Sequence, residues 1–301
     1  MEFQFLTMKN NRTAIPVWLL LLLLAAGCTE PIALRSDDME PRLVITGTLS
    51  TNPGNQIIEI SSTAPYFGSE LPVNIDASEV SLNGESLRRD APGIYSTGEN
   101  YSAQQGETYL LEVWIDYNRD GKDEYYTATT TIPYIHTLES LVLRSLIPSG
   151  ADTPFLLVAS FQDTPGEDYY GGALWINDVL YSNRILRYYI HMFNDYSQDG
   201  EFLRYPIPEW IITKSLVWDN GTTYDLYAGD VLTLELQTLS KEYYLFLGEA
   251  KIEKNQQFPL FSGPRGNVTG NITGGALGIF GSFASSRKSV TLPECPGLPS
   301  R

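Results

Sequence analysis

Leu43-Val44-Ile45-Thr46-Gly47-Thr48-Leu49, followed beyond Asn52-Pro53-Gly54 by Ile57-Ile58-Glu59-Ile60, decides the fold class of this chain. Short β-branched runs bounded by turn residues read as strands, because branched side chains pack well on a pleated surface and lose rotamer freedom in a helix. Downstream, Val80 to Leu87 contains Asn83-Gly84, the pair that favours a type I′ hairpin turn. Gly93-Ile94-Tyr95, Thr108 to Ile115 and Tyr125 to Ile132 continue the series and close at Pro133. That spacing predicts an N-terminal Ig-like or transthyretin-like antiparallel β-sandwich over residues 42–134, with an irregular β extension of one larger domain as the alternative.

Phe155 to Phe161, Gly172 to Ile176, Ile185 to Met192, Val231 to Leu236 and Val290 to Leu292 are further strand candidates. One segment departs from them. From Ser240 onward, Tyr243, Leu247 and Ala250 recur at helical spacing, with Ser240 placed as N-cap and Glu242 in the first turn, where the macrodipole favours an anion. The expectation is a mainly β chain whose second domain, 135–295, carries one substantial α-helix at about 240–254 packed on a sheet, followed by a tail at 296–301.

Before the first strand lies an apolar run from Val17 to Ala26, preceded by Lys9 and Arg12 and ending in Ala25-Ala26-Gly27-Cys28. The run is shorter than the ~20 residues that span a bilayer, and small residues before a cysteine are what a lipoprotein signal peptidase requires. Residues 1–27 are therefore expected to be a signal peptide, Cys28 the lipidated first residue of the mature chain, and residues 28–41 a tether of mixed charge and proline. Of the two cysteines, acylation of Cys28 leaves Cys295 without a partner, so the fold rests on a hydrophobic core and not on disulfides. The net charge of −16 argues against nucleic acid and against electrostatic adsorption to anionic lipid, so attachment is expected to come from the lipid.

The sharpest chemical pattern is Asp116 to Glu124. Asp116, Asn118 and Asp120 stand at the first, third and fifth places of a calcium loop, Gly121 at the sixth, and Asp123 or Glu124 could close it. The twelfth place holds Thr127 where an EF-hand needs a bidentate Glu, and an acidic, glycine-containing cluster between strands is equally an ordinary solvated hairpin turn. Asp195-Tyr196-Ser197-Gln198-Asp199-Gly200-Glu201 repeats the outline more weakly, and there the turn reading is preferred. The two histidines, His136 and His191, belong to no nucleophile motif. Ser285-Ser286-Arg287-Lys288 lacks the companion elements of serine acylases, and Gly270 to Gly281 lacks the Gly-Lys-Ser/Thr of a phosphate loop. No catalytic residue is assigned and no cofactor is required, with calcium as the one candidate ion. Tyrosine pairs at 125–126, 169–170, 188–189 and 243–244, with Trp175, Trp210 and Trp218, suit either sheet packing or a ligand-binding aromatic face.

Several stretches together resemble a lipoprotein family of the Bacteroidota, the domain of unknown function 4249. They are Leu43 to Leu49, Gly106 to Val113, Thr131-Ile132-Pro133, Phe193-Asn194-Asp195 with Asp199-Gly200-Glu201, Leu239 to Tyr244, and the closing run Gly266-Asn267-Val268 with Asn271 to Gly281. The resemblance implies an outer-membrane lipoprotein, lipid-anchored on the periplasmic face or at the cell surface, that accompanies a TonB-dependent β-barrel transporter in capture or uptake. It supplies no catalytic residues, and the Asp116 loop is not part of its pattern. Two rival expectations stand beside it: a surface hydrolase using carboxylates brought together by folding, and an adhesive or structural module stiffened by calcium.

Overall fold

Nine strands of one sheet carry both halves of the chain. The computed structural model describes residues 41–64, 71–145, 155–181, 192–196, 198–212, 215–217, 223–255 and 268–294; the expected signal peptide, Cys28, all of the tether before Pro41, Cys295 and the tail lie outside them. In chain order the strands are β1 (Leu43–Ser50), β2 (Ile57–Ser62), β3 (Glu79–Leu82), β4 (Glu85–Ser86), β5 (Arg88–Ala91), β6 (Ile94–Ser96), β7 (Thr108–Ile115), β8 (Glu124–Thr131), β9 (Leu138–Ser145), β10 (Phe155–Gln162), β11 (Tyr169–Ile176), β12 (Val179–Leu180), β13 (Phe193–Asn194), β14 (Phe202–Ile212), β15 (Ser215–Val217), β16 (Thr223–Asp225), β17 (Val231–Leu239) and β18 (Leu277–Thr291), with the helix α1 (Lys241–Asn255) before β18. The long sheet runs β12-β11-β17-β18-β1-β2-β6-β5, with β13 added beside β11; smaller sheets run β4-β3-β7-β8 and β14-β10-β9, and β15 pairs β16. Among the described residues the protein is mainly β with one helix, as the sequence predicts.

Local signals land where chemistry places them. Asn83 and Gly84 have φ of 50° and 80°, and Ser81 pairs Ser86 across them, so the turn has positive φ at both central residues as a type I′ hairpin requires. β7 and β8 pair in full register from Thr108↔Thr131 to Ile115↔Glu124. The helix buries Tyr243 and Leu247 against Tyr169, Leu239 and Ile279, while Ala250 is half-buried. Burying a leucine contributes about 2 kcal/mol. Ser240 holds the N-cap place, since its carbonyl accepts the Tyr244 N–H at 2.9 Å, but its hydroxyl reaches across to accept the Ser282 N–H at 3.3 Å, fastening the helix start to β18.

The sequence does not announce β18. Its residues pair in parallel with β1, from Val44↔Leu277 to Ser50↔Phe283, and antiparallel with β17 from Leu239↔Phe283 to Val231↔Thr291. Successive side chains alternate between faces. Phe280 and Ala284 enter a core with Leu43, Ile45, Ile58, Val80, Leu111, Val113 and Ile115. Further along the same face, Ser286 Oγ accepts the Leu138 N–H at 3.0 Å, and Val290 packs on a second core of Leu141, Phe155, Leu157, Phe161, Tyr170, Leu174 and Leu232. The opposite face meets the helix through Ile279 and Phe283. The division placed at residues 134 and 135 falls between β8 and β9, but the first core takes Phe280 and Ala284 from beyond it and the long sheet runs across it. Of the strand candidates, Ile185 to Met192 lies outside the described residues apart from Met192.

The segment after residue 268 also covers an edge. β8 ends its sheet, and its free side is met by Thr273, whose N–H donates to Thr127 O at 2.8 Å, and by Asn271, whose Nδ2 donates to Thr129 O at 3.1 Å. Asn271 also brackets Phe280, accepting its N–H and donating to its carbonyl, both at 2.9 Å. The closing run is thus a strut between two sheets.

On the solvent side of the long sheet, Glu235 of β17 is buried and accepts from Asn52 Nδ2 at 2.9 Å, Trp175 Nε1 at 3.3 Å and Arg287 Nη2 at 2.7 Å. The Arg287 guanidinium lies over the Trp175 ring, 4.6 Å from its centroid. Arg287→Ala leaves this carboxylate without its counter-charge. Because the guanidinium is half exposed and screened, the expected loss of stability is about 1–2 kcal/mol, below that of a fully buried pair. Urea unfolding checks it.

Candidate functional site

Folding draws acids of two turns, 163–168 and 195–201, to one end of the β14-β10-β9 sheet. Gln162, the last residue of β10, lies opposite Phe202, the first of β14, so Asp163 meets the turn at 195–201 that leads into β14. β13 pairs β11 at Tyr170↔Phe193 and Tyr169↔Asn194, which sets Asp195 beside the start of β11 and near Asp168. Backbone amides then orient the carboxylates. Gly200 N–H donates to Asp163 Oδ2 at 2.8 Å, Gly166 N–H to Asp199 Oδ1 at 2.8 Å, and Asp168 N–H to Asp195 Oδ1 at 3.2 Å. The buried Tyr170 hydroxyl donates to Asp163 Oδ1.

Among the described residues, two groups of three could hold a metal ion, each offering ligand atoms within 4.8 Å of one another: His136, Asp163 and Asp168, and Asp163, Asp195 and Asp199. They share Asp163 but differ in what their atoms already do. His136 is 3% exposed, and its Nδ1 and Nε2 lie 3.1 Å from the hydroxyls of Thr238 and Thr164. Its ring stands edge-on to Tyr170 at 5.2 Å, and Nε2 is 3.5 Å from Asp168 Oδ2 and 3.9 Å from Asp163 Oδ1. It serves as a hydrogen-bonded core histidine joining β17, β11 and the turn after β10. Asp195 is 4% exposed, and its Oδ2 has no hydrogen-bond partner.

The electrostatics follow from this crowding. Burial lifts the Asp195 carboxyl above the usual carboxylate range, and the charges of Asp163 and Asp199 push it the same way, against the Asp168 N–H. Burial also raises Asp168, with the nearby His136 and the Thr164 hydroxyl opposing it. Tyr170 is raised too, first by burial and then by its bond to Asp163, and stays a donor.

The Asp116 loop forms the turn of the β7–β8 hairpin, and its oxygens accept from nearby groups. Asp116 Oδ1 accepts the Asp120 N–H at 2.9 Å and Oδ2 the Gly121 N–H at 3.0 Å; Asn118 Oδ1 accepts the Asp120 N–H at 2.9 Å. Asp120 Oδ1 accepts the Lys122 N–H at 2.9 Å, Asp123 Oδ1 the Ser78 hydroxyl at 2.7 Å, and Glu124 Oε2 the Tyr117 N–H at 2.8 Å. Among the described residues, neither metal-compatible group of three contains an acid of this loop. The tyrosine pairs mostly pack: Tyr126, Tyr169, Tyr170 and Tyr243 are buried, and Tyr125 is half exposed. His191, Tyr188, Tyr189 and Trp218 lie outside the described residues.

Sequence reasoning missed Asp163 and Asp168. The acid- and glycine-containing turn Asp163-Thr164-Pro165-Gly166-Glu167-Asp168 was the available signal, but its approach to Asp195 is a property of the fold.

Fold and site together define a mainly β protein of facing sheets with a carboxylate-rich cluster where two turns meet. The chain belongs to the family described as Domain of unknown function (DUF4249), whose model matches residues 29–289. No curated protein matches it.

Proposed function

We propose that this protein is an outer-membrane lipoprotein, anchored through a lipid on Cys28, that acts without catalysis as an accessory or ligand-binding component beside a TonB-dependent β-barrel transporter. The observation that carries the reading is the apolar run ending in Ala25-Ala26-Gly27-Cys28. Acyl chains contribute about 0.8 kcal/mol per buried CH₂, and two or more give stable attachment to a chain whose acidity favours none. His136 is buried with both ring nitrogens beside threonine hydroxyls, which supports a structural role for this residue.

Metabolic labelling with an alkyne fatty acid tests the anchor. The wild-type chain is expected to take up label and sediment with membranes, and Cys28→Ala to lose both; an unlabelled wild-type chain refutes the anchor. For the partner, affinity purification from detergent-solubilised membranes is expected to recover a β-barrel transporter. Repeated recovery of the lipoprotein alone refutes that part of the reading.

A further inference from the structure

We propose that Asp163, Asp195 and Asp199 form a calcium site that fastens the turn at 195–201 to the end of β10. This does not depend on the lipid anchor or on a transporter. Two independent observations meet here. The three carboxylates each offer an oxygen within 4.8 Å of the others, and one of them, Asp195, is 4% exposed with Oδ2 hydrogen-bonded to nothing. An ionised carboxylate withdrawn from water without a compensating partner is costly, so such an atom calls for a counter-charge. Among the described residues, no lysine or arginine forms an ion pair with any of the three. A bound cation supplies that charge.

The donor chemistry selects the ion. All three groups are hard oxygen donors, which suits calcium or magnesium and not zinc, whose protein sites draw on histidine and cysteine. Magnesium demands near-ideal octahedral geometry and usually takes only one or two carboxylates, whereas calcium accepts several carboxylates in irregular arrangements. Three acids from two turns, each already tilted by a backbone or hydroxyl donor, match the second habit. The neighbouring group of His136, Asp163 and Asp168 is less suited, because Thr164 and Thr238 already occupy the imidazole nitrogens. The alternative to a cation is a proton held by the crowded acids, in which case calcium has no effect.

The full-length chain, purified in detergent and stripped with chelator, is to be titrated with calcium chloride by isothermal calorimetry and melted with and without the ion. Saturable binding is expected, with a rise in Tm of about 5 °C or more at a hundredfold excess over Kd. Asp195→Asn keeps the shape and removes the charge; it is expected to abolish the shift while leaving the far-ultraviolet circular dichroism unchanged. Asp116→Asn, in the β7–β8 loop, is expected to retain the shift. No binding by the wild-type chain overturns the proposal. So does a shift that survives Asp195→Asn, or one lost with Asp116→Asn, since either places the ion elsewhere; an equal shift with magnesium chloride overturns the choice of calcium.

Discussion

Gly278→Ala is expected to destabilise the protein by about 3 kcal/mol or more, from backbone strain plus overpacking. Gly278 has φ of 110°, and a Cβ there would stand 2.0 Å from the Ile45 carbonyl oxygen and 2.8 Å from its carbon. Neither atom belongs to a side chain that can swing away, so β1 and β18 must part or shift register, and their parallel pairing places Ile45 opposite Gly278. Gly275 provides the contrast. Its φ is 87° but nothing lies within 4 Å of its Cβ position, so alanine there carries only the conformational cost, about 1–2 kcal/mol. Thermal or urea unfolding of both variants separates close approach from chain turning, and a wild-type midpoint for Gly278→Ala contradicts the pairing.

Phe280→Ala is expected to cost about 3–5 kcal/mol, the range for emptying a buried aromatic site. Phe280 is fully buried, and it fills a core built mainly from strands of the first half. Asn271 holds its backbone from both sides, so the main chain has little freedom to collapse into the space left. The same residue bears on domain organisation. A fragment of residues 42–134 lacks Phe280, Ala284 and the parallel neighbour of β1, and is expected to unfold without a cooperative transition. A sharp melting curve for that fragment contradicts the shared-core description.

What could be read from the sequence was what residues decide locally. Asn83-Gly84 forces its turn, Thr108 to Ile115 alternates as a half-buried strand, and Tyr243 and Leu247 recur at helical spacing. Where the pattern misled, a distant partner overrode it. Glycines at 278 and 281 disguise a 15-residue strand, because they serve contacts with elements far away in the chain. Pro206 and Pro208 argue against a strand at β14, yet this strand ends its sheet, where missing N–H groups are tolerated. The candidate site divides the same way. Asp195 to Glu201 has a recognisable outline, whereas Asp163 and His136 become partners only after β10, β11 and β17 have aligned.

The parallel pairing of β1 with β18 bears on how the polypeptide reaches its native state. Synthesis delivers residues in order, so β1 waits with one flank unpaired until residue 283 has been made. Long-range pairings of this kind form slowly, and an open strand flank is a template for a neighbouring chain in the meantime. The first core can therefore be completed only after residue 284 has been made, and until then the open flank of β1 is exposed to neighbouring copies.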